Sequence, residues 1–268
     1  MHRIESISRN ALIARNASGT LRGILLASLF AAVFTLPSFA ISRDFSQTYS
    51  LQPGGTFDLQ NVNGTVEVQV WDRDQIEIRA VKTAKDREAD LDRVSIEVEA
   101  KPNAVSVTTR YPQDQGVEVA VEYMVHVPRS AVIERLATVN GTLRISGVDH
   151  VEELRTVNGN IEVYEGGGAV RAHVTNGNVH LELTHLREKD ETFAETTNGS
   201  VLLAVPADTQ ADLEARCLNG SFSSELPVAL ESTLRPREMH GKLGHGGAPI
   251  RLRTVNGGIQ IAVLRSTV

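Results

Sequence analysis

Residues 136–163 read LATVNGTLRISGVDHVEELRTVNGNIEV and contain the same short unit twice. In each copy Thr-Val-Asn-Gly follows an apolar segment, and apolar residues return three and five positions after the Asn. Alternation of apolar and polar residues is typical of a β-strand with one buried face. The stretch therefore predicts one strand on either side of each Asn-Gly pair.

Related units occur seven times along the chain. From Asn140 onwards, successive units are 18, 18, 22, 21 and 37 residues apart. We predict that all seven pairs are structural corners of a repeat. They are Asn63-Gly64, Asn140-Gly141, Asn158-Gly159, Asn176-Gly177, Asn198-Gly199, Asn219-Gly220 and Asn256-Gly257.

Two architectures use such a unit. In a meander of hairpins, Asn-Gly would form a two-residue turn, because both residues tolerate positive φ. In a β-solenoid it would lie at a corner, and each coil would stack in register on the one before. The short, regular spacing favours stacking, since a unit of this length cannot bury its apolar face alone. We therefore predict an all-β fold, a short single-stranded β-solenoid (β-helix-like) of about six coils with Asn amides bonded from coil to coil.

The chain before residue 136 has a different pattern. Alternating segments in residues 56–127 are separated by charged and turn-forming residues. They predict an antiparallel β region over residues 41–135 that caps a solenoid at residues 136–268, because an open solenoid end exposes strand edges. Both parts belong to one continuous domain, 41–268. Residues 225–247 lengthen the last interval, and this insertion is expected to cap the coil or to bind a partner.

Residues 1–40 have the pattern of a signal peptide. Four arginines precede ILLASLFAAVFTL, an uncharged and mostly apolar run of 13 residues. This run is shorter than the roughly 20 residues that span a bilayer. Pro37 follows it, and Ser38-Phe39-Ala40 offers the small residues that a signal peptidase recognises. We predict cleavage after Ala40 and a periplasmic or secreted protein with no membrane span after cleavage.

The composition excludes several classes of protein. Removing residues 1–40 would change the net charge from −6 to −9, and so acidic a chain is repelled by nucleic acids and anionic lipids. The single cysteine, Cys217, excludes an internal disulfide and a cysteine-based zinc cluster. Aromatic residues are only 4% of the chain, so the ring surfaces on which sugars stack are scarce.

Several motifs have a structural interpretation that is simpler than a chemical one. Calcium-binding solenoids repeat Asp within Gly-rich runs, and the Asn-Gly units do not. Gly166-Gly167-Gly168 lacks the Lys-Ser/Thr pair of a phosphate-binding loop, so we interpret it as a tight corner. Cys217 occupies the position two before the Asn, which Thr or Val fills in five other units, and it is not expected to be a nucleophile.

Two groups of histidines resemble parts of metal sites. His173 and His180 flank one Asn-Gly pair, with His185 further on, and His240 and His245 lie in the insertion. Together with an acid such as Glu182, two histidines can bind a metal ion. Solvated histidines on an outer face are the commoner case, and we predict neither a metal site nor a cofactor.

A polysaccharide hydrolase or lyase is the alternative. Hydrolysis of a glycosidic bond requires two carboxylates placed across that bond. The outward acids Glu162, Glu182 and Glu195 lie in three successive units, and stacking could bring some of them within range. Nothing in the sequence distinguishes them from solubilising charge, so no catalytic residue is predicted.

Three features together resemble a known family. They are the strand ending in His126-Val127-Pro128, the serial Val-Asn-Gly units, and the segment GKLGHGGAPIRLRTVNGGIQI at residues 241–261. Over residues 57–263 the chain resembles the exported β-strand-repeat family of candidate adhesins known as DUF4097. The resemblance implies a β-solenoid outside the cytoplasm, and it implies no catalytic or binding residues.

The sequence thus predicts an exported, non-catalytic module of the cell envelope, either adhesin-like or a scaffold. Its partner would be an envelope protein or a polysaccharide, bound by many weak contacts to outer faces that carry Arg144, Glu162 and His180. An envelope sensor without a ligand of its own is a further alternative. The sequence leaves the oligomeric state open.

Overall fold

The computed structural model describes residues 41–113, 116–235 and 237–265, with the backbone alone for 231–235, and these residues form an all-β fold. The predicted signal peptide and Ala40 lie outside the described residues. Within them, no helix is long and apolar enough to cross a membrane.

Within the described residues the chain forms 21 strands and one short helix. In chain order these elements are β1 (Ile41–Ser50), β2 (Thr56–Gln60), β3 (Val66–Trp71), β4 (Gln75–Ala84), α1 (Ala89–Arg93), β5 (Ser95–Lys101), β6 (Ala104–Arg110), β7 (Val119–Pro128), β8 (Val132–Asn140), β9 (Leu143–Ser146), β10 (His150–Asn158), β11 (Ile161–Gly167), β12 (Val170–Asn176), β13 (Val179–His185), β14 (Thr192–Asn198), β15 (Val201–Val205), β16 (Ala211–Asn219), β17 (Phe222–Ser224), β18 (Val228–Arg235), β19 (Glu238–Leu243), β20 (Ala248–Asn256) and β21 (Ile259–Val263).

The strands form two large sheets. Sheet A has ten strands in the order β1-β4-β7-β3-β9-β11-β13-β15-β21-β17. Sheet B has eleven, in the order β18-β19-β16-β20-β14-β12-β10-β8-β2-β6-β5. In the central part each coil contributes one strand to each sheet, and strands of successive coils pair in parallel. The result is a solenoid-like stack.

Alternation along each strand places apolar side chains between the two sheets. The residues three after each Asn pair side by side in sheet A, and Leu143, Ile161 and Val179 are at most 1% exposed. Leu136 and Leu154, four before their Asn, line the inner face of sheet B and are fully buried. Each such side chain contributes about 1.5–3 kcal/mol by leaving water.

The Asn residues of the seven units form one continuous row of side-chain hydrogen bonds, which we call the Asn ladder. The Nδ2 group of Asn158 donates to Oδ1 of Asn140 at 2.8 Å, and Asn176 donates in the same way to Asn158 at 2.9 Å. The full order is Asn63, Asn140, Asn158, Asn176, Asn198, Asn256 and Asn219. The backbone repeats this contact, since each Gly N–H donates to the Asn carbonyl of the next coil.

A second row of bonds lies just inside the ladder. The Thr two before the Asn donates its hydroxyl to the Gly carbonyl of the neighbouring coil, as Thr156 does to Gly141 at 3.0 Å. Thr138, Thr196 and Thr254 make the same bond. The thiol of Cys217 replaces that hydroxyl, with Sγ 3.0 Å from the Gly257 oxygen. Val174 occupies the same column without a polar group, between Thr156 and Thr196.

Replacing Val174 by threonine is expected to raise the free energy of unfolding by about 1 kcal/mol. Val174 is 4% exposed, and a hydroxyl at its place would meet the Gly159 carbonyl as the neighbouring threonines meet theirs. Urea unfolding followed by circular dichroism measures the change. Val174→Ala removes methyl groups without adding a donor and should be destabilising. A threonine variant no more stable than the native protein would contradict this account of the column.

The spatial order of the coils departs from chain order at the C-terminal end. We expected each coil to stack on the one before, but β20 and β21 lie between the coils of β14–β15 and β16–β17. The reason is the insertion at residues 225–247, which supplies β18 and the antiparallel strand β19 that pairs with one edge of β16. Only the opposite edge of β16 remains for β20, which pairs there in parallel.

Antiparallel strands lie at both ends of the stack. At the N-terminal end β1 pairs with β4 and β4 with β7 in sheet A, while β5 pairs with β6 in sheet B. This region is not purely antiparallel, because β6 and β7 pair in parallel with β2 and β3. At the other end, sheet B closes on the hairpin of β18 and β19, whereas sheet A ends on the three residues of β17.

Candidate functional site

The structure separates several of the residues that the sequence singled out. Glu162 and Glu182 both lie on the outer face of sheet A, in β11 and β13, whereas Glu195 belongs to β14 of sheet B. His173 and His180, which flank one Asn-Gly pair, likewise fall on opposite sheets. A three-carboxylate site and a site joining these two histidines are therefore both incompatible with the fold.

The surroundings of Cys217, of the Gly166–Gly168 segment and of the histidines in the insertion do not support catalysis or metal binding. Burial raises the pKa of the Cys217 thiol, which opposes formation of a nucleophilic thiolate. The ring of His185 fills the space next to Gly167, and Gly168 has φ of +72°, as a corner requires. His240 Nε2 is 3.8 Å from a Glu238 oxygen, and His245 is exposed in the next turn. Across the described residues, no three potential metal ligands cluster together.

Ion pairs occupy the outer face of sheet B. The charges are joined from strand to strand or along a strand, and Arg171 meets Glu191 at 2.7 Å. The other pairs are Arg135–Asp58, Arg155–Glu153, Arg251–Glu191, Arg251–Glu214 and Arg253–Glu214. This face also has an open groove of about 560 Å³, but its Arg135, Arg171 and Glu153 are committed to these pairs. Its other carboxylates, Glu134 and Glu152, make the groove acidic.

A groove on the outer face of sheet A has a different character. It has a volume of about 460 Å³ and crosses the coils of β11, β13 and β15. We call it the sheet A groove. One wall is formed by the residues that lie two positions after the Asn of each Asn-Gly unit. The other wall is formed by the residues four positions after it. The lining residues are Asn160, Asn178 and Ser200 in the first row, Glu162, His180 and Leu202 in the second, and Ile161 and Val179 between them.

The first row is a ladder that the sequence analysis missed. The side-chain oxygen of Asn160 accepts the backbone N–H of Asn178 at 2.9 Å, and that of Asn178 accepts the N–H of Ser200 at 2.9 Å. Ser200 Oγ accepts in turn from Gly258 at 3.2 Å. The signal in the sequence was the small or polar residue that follows every Asn-Gly pair, from Thr65 onwards.

These bonds use the side-chain oxygens of Asn160 and Asn178 and leave their amide N–H groups without an acceptor among the described residues. Each oxygen is held by the backbone of the next coil, and no acceptor in the described part of the chain takes the amide N–H groups of Asn160 or Asn178. Both side chains are at the surface. The wall therefore presents oriented amide donors to the groove, with orientation fixed by the solenoid itself.

The second row contains a cluster around Glu162. Arg144 donates from both Nε and Nη2 to Oε2 of Glu162 at 2.9 Å, and the Tyr164 hydroxyl donates to the same oxygen at 3.3 Å. Burial, and then the charge of Glu162, raises the pKa of that hydroxyl, which keeps it a donor. The described residues place no donor on Oε1 of Glu162, so this oxygen is free to accept.

His180 extends the cluster to the next coil. Its Nε2 atom is 3.0 Å from Oε1 of Glu182, and its ring meets the ring of Tyr164 edge-on with centroids 5.4 Å apart. His173 makes the equivalent contacts on sheet B, with Glu195 at 3.5 Å and the Phe193 ring at 5.1 Å. The two histidines therefore form a natural matched pair for mutation.

The geometry favours binding over acid–base catalysis. A general acid needs a carboxyl group that stays protonated, usually in an apolar enclosure. Glu162 instead faces an arginine and Glu182 a histidine, both on an open surface. Such an arrangement leaves oriented acceptors and donors at the surface.

Comparison with known proteins identifies the repeat region. Residues 134–262 match the family model described as Toastrack DUF4097. These residues are a Toastrack domain. The domain begins in β8 and ends in β21, so it includes the sheet A groove and the coils that support it. A search of curated proteins finds no match.

Solved structures are similar to this chain at low sequence identity. A candidate cell adhesion protein from Clostridium sporogenes ATCC 15579 has a TM-score of 0.50 at 10% identity, covering 84% of this chain and 100% of its own. A candidate adhesin from Bacteroides fragilis NCTC 9343 has a TM-score of 0.36 at 11% identity, with 83% and 97% covered. A candidate lipid-binding protein from Parabacteroides distasonis ATCC 8503 has a TM-score of 0.31 at 10% identity, again with 83% and 97% covered. At 10% identity, the similarity to the Clostridium sporogenes protein supports a shared fold and nothing more.

Proposed function

We propose that this protein is an exported, non-catalytic, adhesin-like module of the cell envelope that binds its partner on an outer face of the stack. In this proposal residues 1–40 are a signal peptide cleaved after Ala40. The domain 41–268 then works in the periplasm or outside the cell, with the antiparallel strands as caps and the Asn-Gly pairs as structural corners.

One observation carries the proposal. The sheet A groove presents hydrogen-bonding groups fixed in register over three successive coils, on an open surface and without an enclosed acid. A flat, rigid face of this kind suits recognition by several weak contacts. Adhesion and display require such a face, whereas hydrolysis requires two carboxylates placed across the bond to be cleaved. The name of the Clostridium sporogenes protein, a candidate cell adhesion protein, agrees with this proposal.

Co-sedimentation with cell-envelope fractions tests the proposal. Protein purified from cells that express the full chain is expected to sediment with the envelope, and no new reducing sugar ends should appear in the same tubes. Release of sugar ends that disappears in Glu162→Gln and Glu182→Gln variants would overturn the proposal in favour of a polysaccharide-cleaving enzyme. Absence of sedimentation would overturn the binding role and favour a sensor without a ligand of its own.

A further inference from the structure

We propose that the sheet A groove binds a neutral, hydroxyl-rich polysaccharide whose chain runs along the axis of the stack. The inference rests on the proposed function and narrows its partner to one chemical class. It starts from the unused hydrogen-bonding capacity of the groove, which is spread over both walls.

The free groups complement hydroxyl groups. One wall offers the amide N–H groups of Asn160 and Asn178 and the hydroxyl of Ser200, whose oxygens are already taken by backbone donors. The other wall offers Oε1 of Glu162, since Arg144 and Tyr164 both bind Oε2. A sugar hydroxyl both donates and accepts, so a chain of sugars lying between the walls can satisfy both sets.

The charge of the groove disfavours an anionic polymer. Binding of uronates or phosphates requires cations that are free to pair with them. Arg144 is already paired with Glu162, and His180 lies against Glu182. The Arg144–Glu162 pair has no net charge, and the Glu182 carboxylate beside His180 repels an anion. A neutral ligand pays no electrostatic penalty for entering such a site.

The backbone beneath the groove cannot receive an added peptide strand. Peptides commonly bind sheets by pairing with an exposed edge. β11, β13 and β15 are central strands, each paired in parallel on both sides, so their backbone groups are already bonded. In the second row of the groove Leu202 is the one apolar side chain. A single leucine is a small anchor for a peptide.

The repeat gives the groove a period that suits a polymer. Neighbouring strands in a sheet are about 4.7–4.9 Å apart, and alternate residues along a strand about 7 Å. Equivalent groups therefore recur along the axis about every 4.8 Å, and the two walls are about 7 Å apart. Several contacts that are weak singly give useful affinity when one polymer makes them together.

Affinity electrophoresis in gels that contain a dissolved polysaccharide tests the inference. Dextran and hydroxyethyl cellulose serve as neutral probes, and polygalacturonate serves as the anionic probe. The protein, purified from cells that express the full chain, is expected to be retarded by at least one neutral polymer and less by polygalacturonate. The dissociation constant follows from the dependence of mobility on polymer concentration.

One double variant removes the proposed amide donors and preserves the fold. Asn160→Asp with Asn178→Asp keeps the oxygens that hold the backbone and removes the amide donors. The double variant is expected to weaken binding about tenfold, which corresponds to about 1.4 kcal/mol, because two hydrogen bonds are lost. Thr175→Asp with Thr197→Asp adds the same charge at exposed positions of sheet B and should change nothing. His180→Ala removes part of one wall of the groove and should weaken binding, whereas His173→Ala on sheet B should not.

The possible outcomes separate this inference from the proposed function. Retardation by a neutral polymer that the groove variants lose and the sheet B variants keep would support it. Equal retardation of all variants, or stronger binding to polygalacturonate, would overturn it. Sedimentation with envelopes that survives periodate oxidation of their sugars but not protease digestion would also overturn it. In that last case the proposed function would stand, with a protein as the partner.

Discussion

Replacing Gly159 by alanine is expected to cost more than about 4 kcal/mol of folding free energy, a loss in the exceptional range for a point mutation. A Cβ atom at this position would lie 2.0 Å from the carbonyl oxygen of Gly141 in the neighbouring coil. That oxygen belongs to the backbone and cannot turn away. The φ angle of +151° adds a second cost, because residues with a Cβ rarely adopt it.

Gly147 provides the control for Gly159. Its φ of +74° is also positive, but a Cβ atom there would be 3.5 Å from Val70, an ordinary contact. Gly147→Ala should therefore lose only about 1–2 kcal/mol for its backbone conformation. Urea unfolding followed by circular dichroism compares the two variants. Equal losses would mean that the coils are not stacked as closely at the corners as the structure has them.

Replacing Asn176 by alanine is expected to cost about 2 kcal/mol. Asn176 is near the middle of the Asn ladder, where it donates to Asn158 at 2.9 Å and accepts from Asn198 at 2.8 Å. Its removal breaks two hydrogen bonds of about 0.5–1.5 kcal/mol each and divides the ladder into two parts. Water can reach the separated groups, which keeps the loss moderate.

The neighbouring Thr175→Ala variant shows whether the loss at Asn176 comes from the ladder. Thr175 is exposed at the same corner, and its removal should change the free energy of unfolding by less than about 0.5 kcal/mol. The same urea titration applies to both variants. If Asn176→Ala is as harmless as Thr175→Ala, the side-chain bonds do not contribute to the stability of the stack.

The spacing of the Asn-Gly units is enough to predict most of the coil. Because the residue three after the Asn is apolar in every unit, inward side chains such as Leu143 and Ile161 can be assigned by counting from the Asn. The place of β20 and β21 could not be assigned in this way. It depends on which edge of β16 the β18–β19 hairpin occupies, and the sequence spacing does not record that choice.

The candidate site was predictable only in part. Arg144, Glu162 and His180 occupy one outward column of the repeat, so their proximity follows from stacking. Assigning Glu195 to a sheet required knowing that the Asn-Gly pair divides each coil between two sheets. The amide donors of Asn160 and Asn178 were missed because their role depends on a bond from side chain to backbone across coils, which no single unit displays.

The most direct test of a ligand-binding groove on sheet A is the NMR signal of the side-chain amides as a neutral polysaccharide is added. The signals of Asn160 and Asn178 can be assigned from their loss in the Asn160→Asp and Asn178→Asp variants. We predict that these two signals shift on addition of the neutral polymer that retards the protein, while those of Asn158 and Asn176 in the Asn ladder shift much less. Shifts confined to the outer face of sheet B would contradict the account.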